Sequence, residues 1–216
     1  MAKGVAEVFR KRGVNLLYYY TAIQNVASIL GRGILCRNAV SRLRICFRDV
    51  SLPSAQDRRS LLRVGDRPAH DFVPLFVNPL CPMFDERLRD LGTDLACVAV
   101  RIAICNEDGV FFTDGNLAYS EFGTRVYATP EEAKRLPWID IMSTYGNNRL
   151  RGAEVLVPEK VEVRHMLYVF VTDPEDPTVG ECLPAPPLGV TYHRFDSASV
   201  FGVKRDIFEE LRRLLG

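Results

Sequence analysis

The segment Arg149-Leu150-Arg151-Gly152-Ala153-Glu154-Val155-Leu156-Val157-Pro158 carries one carboxylate, Glu154, inside an apolar run. A fixed carboxylate is the group that accepts a proton or stabilises positive charge developing in a transition state. Burying it alone costs several kcal/mol, so its neighbours must supply donors or a ligand. Facing solvent at a strand edge is the alternative, and the segment alone does not decide between them. Arginines stand close by: Arg149 and Arg151 precede Glu154, with Tyr145, Asn147 and Asn148 in the same loop. Nine arginines against three acids crowd the stretch from Arg32 to Arg67. Between Pro68 and Thr124 the balance reverses, with nine acids and three arginines. Guanidinium forks suit phosphate, so the basic stretch suits nucleic acid or a nucleotide pyrophosphate, or else forms a solvated basic face.

Other reactive residue types show no such grouping. Six cysteines have neither CxxC pairing nor Cys/His ligand spacing and are expected to be reduced thiols, with no metal bound. His70 beside Asp71 reads as a hydrogen-bonded structural histidine, because adjacent strand residues point to opposite faces. His165 and His193 have no partner spacing, and Trp138 reads as core.

The elements that must position these groups follow from periodicity. Val14 to Tyr20 reads as a strand, and Thr21 could cap a helix carrying Ile23, Val26, Ala27 and Leu30 that closes at Gly31 and Gly33. A helical piece is expected over Ser54–Leu62. Phe72–Val77 reads as a strand whose Pro74 favours an edge or bulge. Leu95–Ile104 is apolar enough for a central strand, Phe111–Thr113 ends a strand in a turn, and Thr129-Pro130 starts a helix. Ala153–Val157 and Val161–Val171 are further strands. Five prolines make 173–189 a loop, and Lys204–Leu215 a short terminal helix. At 216 residues with 47% hydrophobic and 25% charged content, this is a globular α+β chain. It has no apolar run long enough to span a bilayer and no signal-peptide core, which implies no membrane association and a cytoplasmic location.

Four segments together resemble the DarT family, the DNA ADP-ribosyltransferase toxins of bacterial toxin–antitoxin pairs. They are Tyr18-Tyr19-Tyr20-Thr21 running on to Gly33-Ile34-Leu35; Asp57-Arg58-Arg59; Gly65 through His70-Asp71-Phe72-Val73-Pro74-Leu75-Phe76 to Pro82-Met83; and Thr113-Asp114-Gly115-Asn116 followed by Arg151-Gly152-Ala153-Glu154-Val155-Leu156-Val157. The resemblance runs from Tyr18 to about Val171. Two departures stand out: the family commonly has histidine where Tyr19 stands, and the tail after Val171 differs from its usual ending.

The resemblance implies an ADP-ribosyltransferase fold, with a split, mostly antiparallel β core, short flanking helices and NAD in the cleft between the halves. A single domain over 1–216 is expected, with 172–216 a divergent part of it. Glu154 and Arg59 would be catalytic, with Arg58 the alternative to Arg59. NAD, the co-substrate, would be held by Tyr18, Tyr19, Tyr20, Thr21, Asn25, Ser28, Leu35 and Arg59. Tyr145, Arg149 and Arg151 would grip single-stranded DNA by stacking and backbone contacts. The implied reaction moves ADP-ribose from NAD onto a DNA base, in a monomeric toxin countered by a macrodomain-type antitoxin hydrolase. Two rival readings share the scaffold: transfer to protein, RNA or a small molecule, and a non-catalytic nucleic-acid-binding module.

Overall fold

The computed structural model describes residues 4–91, 94–143, 146–171 and 177–194. Its frame is an eight-stranded sheet in the order β12-β11-β6-β1-β5-β9-β7-β8. In chain order these strands are β1 Leu16–Ala22, β5 Phe72–Phe76, β6 Leu95–Arg101, β7 Phe111–Thr113, β8 Val126–Tyr127, β9 Glu154–Pro158, β11 Met166–Val171 and β12 Thr191–Arg194. Pairs β2 Ile34–Leu35 with β10 Lys160–Val161, and β3 Arg63–Val64 with β4 Arg67–Pro68, make two small ribbons. Every pairing in the large sheet is antiparallel except β11 with β12. The architecture is the mixed α+β fold expected.

Strand alternation sorts β1 onto two faces. Leu16, Tyr18 and Tyr20 join Leu95, Cys97, Ala99 and Phe170 in a small core, covered by Phe84 of helix α5 (Pro82–Leu91). Leu17 faces the larger core with Ala96, Val98 and Val100. Helices α1 (Val5–Lys11) and α2 (Val26–Arg32) contribute Phe9, Val26 and Ile29 to that larger core. Each such side chain, fully buried, stabilises the fold by about 1.5–3 kcal/mol. Trp138 lies in it as expected, with Nε1 donating to the Ala133 carbonyl at 2.8 Å. The remaining helices are short: α3 Arg37–Arg42, α4 Pro53–Ser60, α6 Pro130–Lys134, α7 Trp138–Ile141, α8 Asn148–Arg151 and α9 Pro177–Gly180.

The sheet is split where the site forms. Strand β5 pairs with β9 along its whole length, from Phe72↔Pro158 to Phe76↔Glu154. Toward β1 it makes one pairing, Tyr18↔Phe76, and then diverges. Pro74, which has no N–H to give, therefore sits in an interior strand with one open side, in regular register with Leu156, rather than at the edge or bulge expected.

Several local expectations are corrected. Thr21 lies within β1, and its hydroxyl accepts from the Asn25 amide at 3.0 Å instead of capping a helix. The Leu95 strand ends at Arg101 and continues as a 3-10 turn over Ile102–Asn106. The Val161–Val171 run is broken by a 3-10 turn at Val163–His165. His70 and Asp71 occupy a 3-10 turn, not a strand. The expected helix Lys204–Leu215 lies outside the described residues. Thr129 does begin a helix, with a complete capping box to Glu132. No helix among the described residues is long and apolar enough to cross a membrane.

Candidate active site

Helix α4 begins with proline in its first turn, where a missing N–H is harmless. It delivers two successive arginines at its end, about 100° apart around the axis. Arg59 points inward at 5% exposure, while the Arg58 guanidinium lies over the Tyr119 ring, 5.0 Å from its centroid. The inward arginine meets Glu154, the first residue of β9, at 2% exposure. Arg59 Nη1 donates to Glu154 Oε1 at 3.1 Å and to Oε2 at 2.9 Å. Glu154 is thus buried with partners, as its apolar setting requires, and does not face solvent.

Two further contacts hold Glu154, one at its carboxylate and one at its main chain. The Leu117 N–H donates to Oε2 at 3.2 Å, and the Glu154 N–H donates to Thr113 Oγ1 at 2.9 Å. Both come from residues 113–117, which loop against α8. A Cβ at Gly115 would sit 2.9 Å from the Arg149 carbonyl oxygen, and one at Gly152 would sit 2.9 Å from Asn116 Cβ. These glycines allow the close approach that places the Leu117 N–H on Glu154. One nitrogen of Arg59 spans both carboxylate oxygens, and Arg59 Nη2 is buried with no hydrogen-bond partner among the described residues.

The pair lies in the wall of a half-open cavity of about 220 Å³, in the split between β1 and β5. Tyr19, Tyr20, Thr21, Asn25, Ser28 and Leu35, together with Arg59 and Glu154, line it. Tyr18 does not; its ring belongs to the small core. Tyr20 is anchored through its hydroxyl to the Pro79 carbonyl. Burial, with Asp49 adding to it, pushes the Tyr19 phenol up to about 12, so it is a neutral group at physiological pH. Asn25 is committed to protein: its amide donates to the Arg48 carbonyl at 2.8 Å and accepts from the Arg48 N–H at 3.0 Å, pinning the segment between α3 and α4 at the cavity rim.

Sequence reasoning missed part of the wall. Met83, Glu86 and Arg87 of α5 line the cavity, as do Asn116 and His70. Asn116, His70 and Met83 stand in stretches that carry the family resemblance, whereas nothing in the sequence pattern marks Glu86 or Arg87. His70 Nε2 lies 3.0 Å from Gln56 Oε1. Burial, with the nearby Arg59 and Arg37 charges, holds the His70 pKa below 6.5.

The expected DNA grip is only partly placed. Tyr145 lies outside the described residues. Arg149 is half-buried, with Nη1 at 3.3 Å from Thr124 Oγ1 and 3.5 Å from Asp114 Oδ1. Arg151 is 5% exposed and donates to the Leu80 carbonyl, bracing α8 against the turn after β5. All six cysteines are free thiols. No group of three metal-ligating side chains gathers among the described residues.

Comparison with known proteins follows the same outline. Residues 18–183 match the sequence model of the family described as ssDNA thymidine ADP-ribosyltransferase, DarT. A DNA ADP-ribosyl transferase–DNA ADP-ribosyl glycohydrolase fusion protein of Thermosipho africanus is 36% identical over 169 residues, 74% of this chain and 43% of its own length. The solved Thermosipho africanus DarTG in complex with ADP-ribose superposes with a TM-score of 0.72 at 29% identity, covering 84% of this chain and 50% of that one. Thermus sp. 2.9 DarT in complex with ADP-ribosylated ssDNA gives 0.66 at 20% identity, covering 84% of this chain and 95% of that one. The same Thermus protein in complex with NAD+ gives 0.62 at 18% identity, covering 84% and 96%. The chain thus spans about half the length of the fusion protein it matches.

Proposed function

The chain belongs to the DarT family of ssDNA thymidine ADP-ribosyltransferases, and on that premise we propose that it transfers ADP-ribose from NAD to thymidine in single-stranded DNA, releasing nicotinamide. The observation that carries this reading is the buried Glu154–Arg59 pair beside the cavity between β1 and β5. Arg59 Nη2, a buried donor with no protein acceptor among the described residues, fits an anionic or carbonyl group of a bound co-substrate. The Thermus relative of the same fold, solved with NAD+, supports that choice.

Breaking the nicotinamide–ribose bond develops oxocarbenium character, as glycoside hydrolysis does. Glu154, fixed by the Leu117 N–H and Arg59, supplies negative charge there and holds a ribose hydroxyl. The same carboxylate removes the proton from the incoming base. Arg59 orients the donor, and the apolar wall keeps water away. Tyr19, neutral, offers a hydroxyl in place of the family's usual histidine.

The acceptor, the toxin role and the partner extend the reading further. Base modification would block replication, and the glycohydrolase part of the fusion relative supports a macrodomain-type antitoxin hydrolase that removes the mark. The protein acts as a cytoplasmic monomer in this account. Incubating the chain with adenylate-labelled NAD and thymidine-containing or thymidine-free oligonucleotides tests it. Label on the thymidine-containing strand alone is expected; label on protein or RNA alone would refute the acceptor.

A further inference from the structure

The rim of the cavity carries what the α8 loop lacks. From the end of α3 into the segment before α4, residues 41–49 are exposed almost throughout, with Leu43 at 56% and Phe47 at 42%. Arg42 and Arg44 stand on it, exposed, and make no ion pair among the described residues. Their neighbours are committed: Arg37 pairs with Asp49 at 2.8 Å, and Arg48 pairs with Asp94 at 2.5 Å. Those two pairs also neutralise Asp49 and Asp94. Arg44 adopts a left-handed backbone at φ 51, a conformation a bulky residue rarely takes. The Arg48 main chain is pinned by Asn25, so the segment is fixed to the wall of the site. Phe47 lines the cavity itself, while Arg42 and Arg44 lie outside it.

We propose that Arg42, Arg44 and Phe47 form a binding surface for the single-stranded DNA beside the modified base, with the arginines on backbone phosphates and the Phe47 ring under a flanking base. Exposed guanidinium groups and an exposed aromatic on one segment are the combination that tracks a single strand without reading its sequence. On α8, Arg151 is buried and Arg149 contacts Asp114 and Thr124, so both begin with other partners. This surface rests on the proposed DNA acceptor and names where that acceptor lies.

The test is fluorescence anisotropy of a labelled single-stranded oligonucleotide, titrated with the full chain across a salt series. Each phosphate contact adds about 0.7 to the salt slope for single strands, so Arg42→Ala/Arg44→Ala should flatten it by about 1.4. NAD affinity by calorimetry should stay within about twofold, since neither arginine lines the cavity. Phe47→Ala should weaken DNA binding about tenfold, the scale of one stacked base, with the slope retained. An unchanged slope in the double variant, while wild type binds and modifies DNA, would overturn the surface and leave the function standing. A wild-type chain that neither binds nor modifies single-stranded DNA would overturn the function and the surface with it.

Discussion

The floor and the rim of one cavity use arginine in opposite ways. At the floor, Arg59 is buried and already engaged with Glu154. At the rim, Arg42 and Arg44 are solvated. Charges removed from water interact strongly and are held in place by neighbours that cannot move independently. Solvated charges contribute little to folding and respond to salt. The floor can therefore act on a reacting centre with fixed geometry, whereas the rim can engage a flexible polyanion. Position, not residue type, separates the two roles.

The largest test of this contrast is at the floor. Arg59→Ala leaves Glu154 buried with one main-chain donor, and breaking a buried pair costs about 3–5 kcal/mol. Thermal and urea unfolding should show that loss, with transfer falling by at least about a hundredfold. Arg59→Lys should restore part of the stability but little transfer, because an ammonium cannot reach Glu154 and a ligand in the same plane. Arg58→Ala should cost about 1–2 kcal/mol, the scale of a half-buried cation–π contact. Equal loss in both alanine variants would erase the distinction between them.

A smaller effect separates the two α8 arginines. Arg151→Ala removes a buried donor and strands the Leu80 carbonyl, which costs about 1–3 kcal/mol. Arg149→Ala should cost under about 1 kcal/mol in chemical denaturation, since its contacts are long and half-exposed. Similar losses would show that the helix is braced from both sides.

The smallest effect is a pH response. The native His70 pKa lies below its unfolded value of 6.5, so the folded state binds the fewer protons. That contribution to stability is complete above pH 6.5 and is lost as pH falls from there toward the lowered native value. His165 shifts in the same direction, through burial and Arg164. His70→Gln should flatten only part of the acid side of a stability–pH curve, and an unchanged curve would remove His70 from the account.

The strand at Glu154 was legible from its apolar, β-branched run, but the burial of its carboxylate was not, because the run fits a solvent-facing edge equally well and only the distant Arg59 and Leu117 contacts decide it. Arg59 was chosen over Arg58 from a motif, and the helical offset then put them on different faces. Pro74 misled because proline signals an edge, while an internal split offers the same freedom from N–H pairing. Thr21 misled because a hydroxyl before a helix pattern reads as a cap, yet β1 runs through it. The burial of Arg151 and the latch made by Asn25 depend on the Leu80 turn and the Arg48 main chain, contacts 71 and 23 residues away that no local pattern encodes.

The most direct test of the central claim is Glu154→Gln. Glutamine keeps the shape of the side chain and an acceptor for the Leu117 N–H, but it carries no charge and takes no proton. Transfer of label from NAD to a thymidine oligonucleotide should fall by about a hundredfold or more in a protein that still folds and binds NAD, with the unfolding midpoint lowered because the buried Arg59 loses its counter-charge. Transfer at the wild-type rate in a folded, NAD-binding Glu154→Gln protein would contradict the assignment of the buried pair as the catalytic centre.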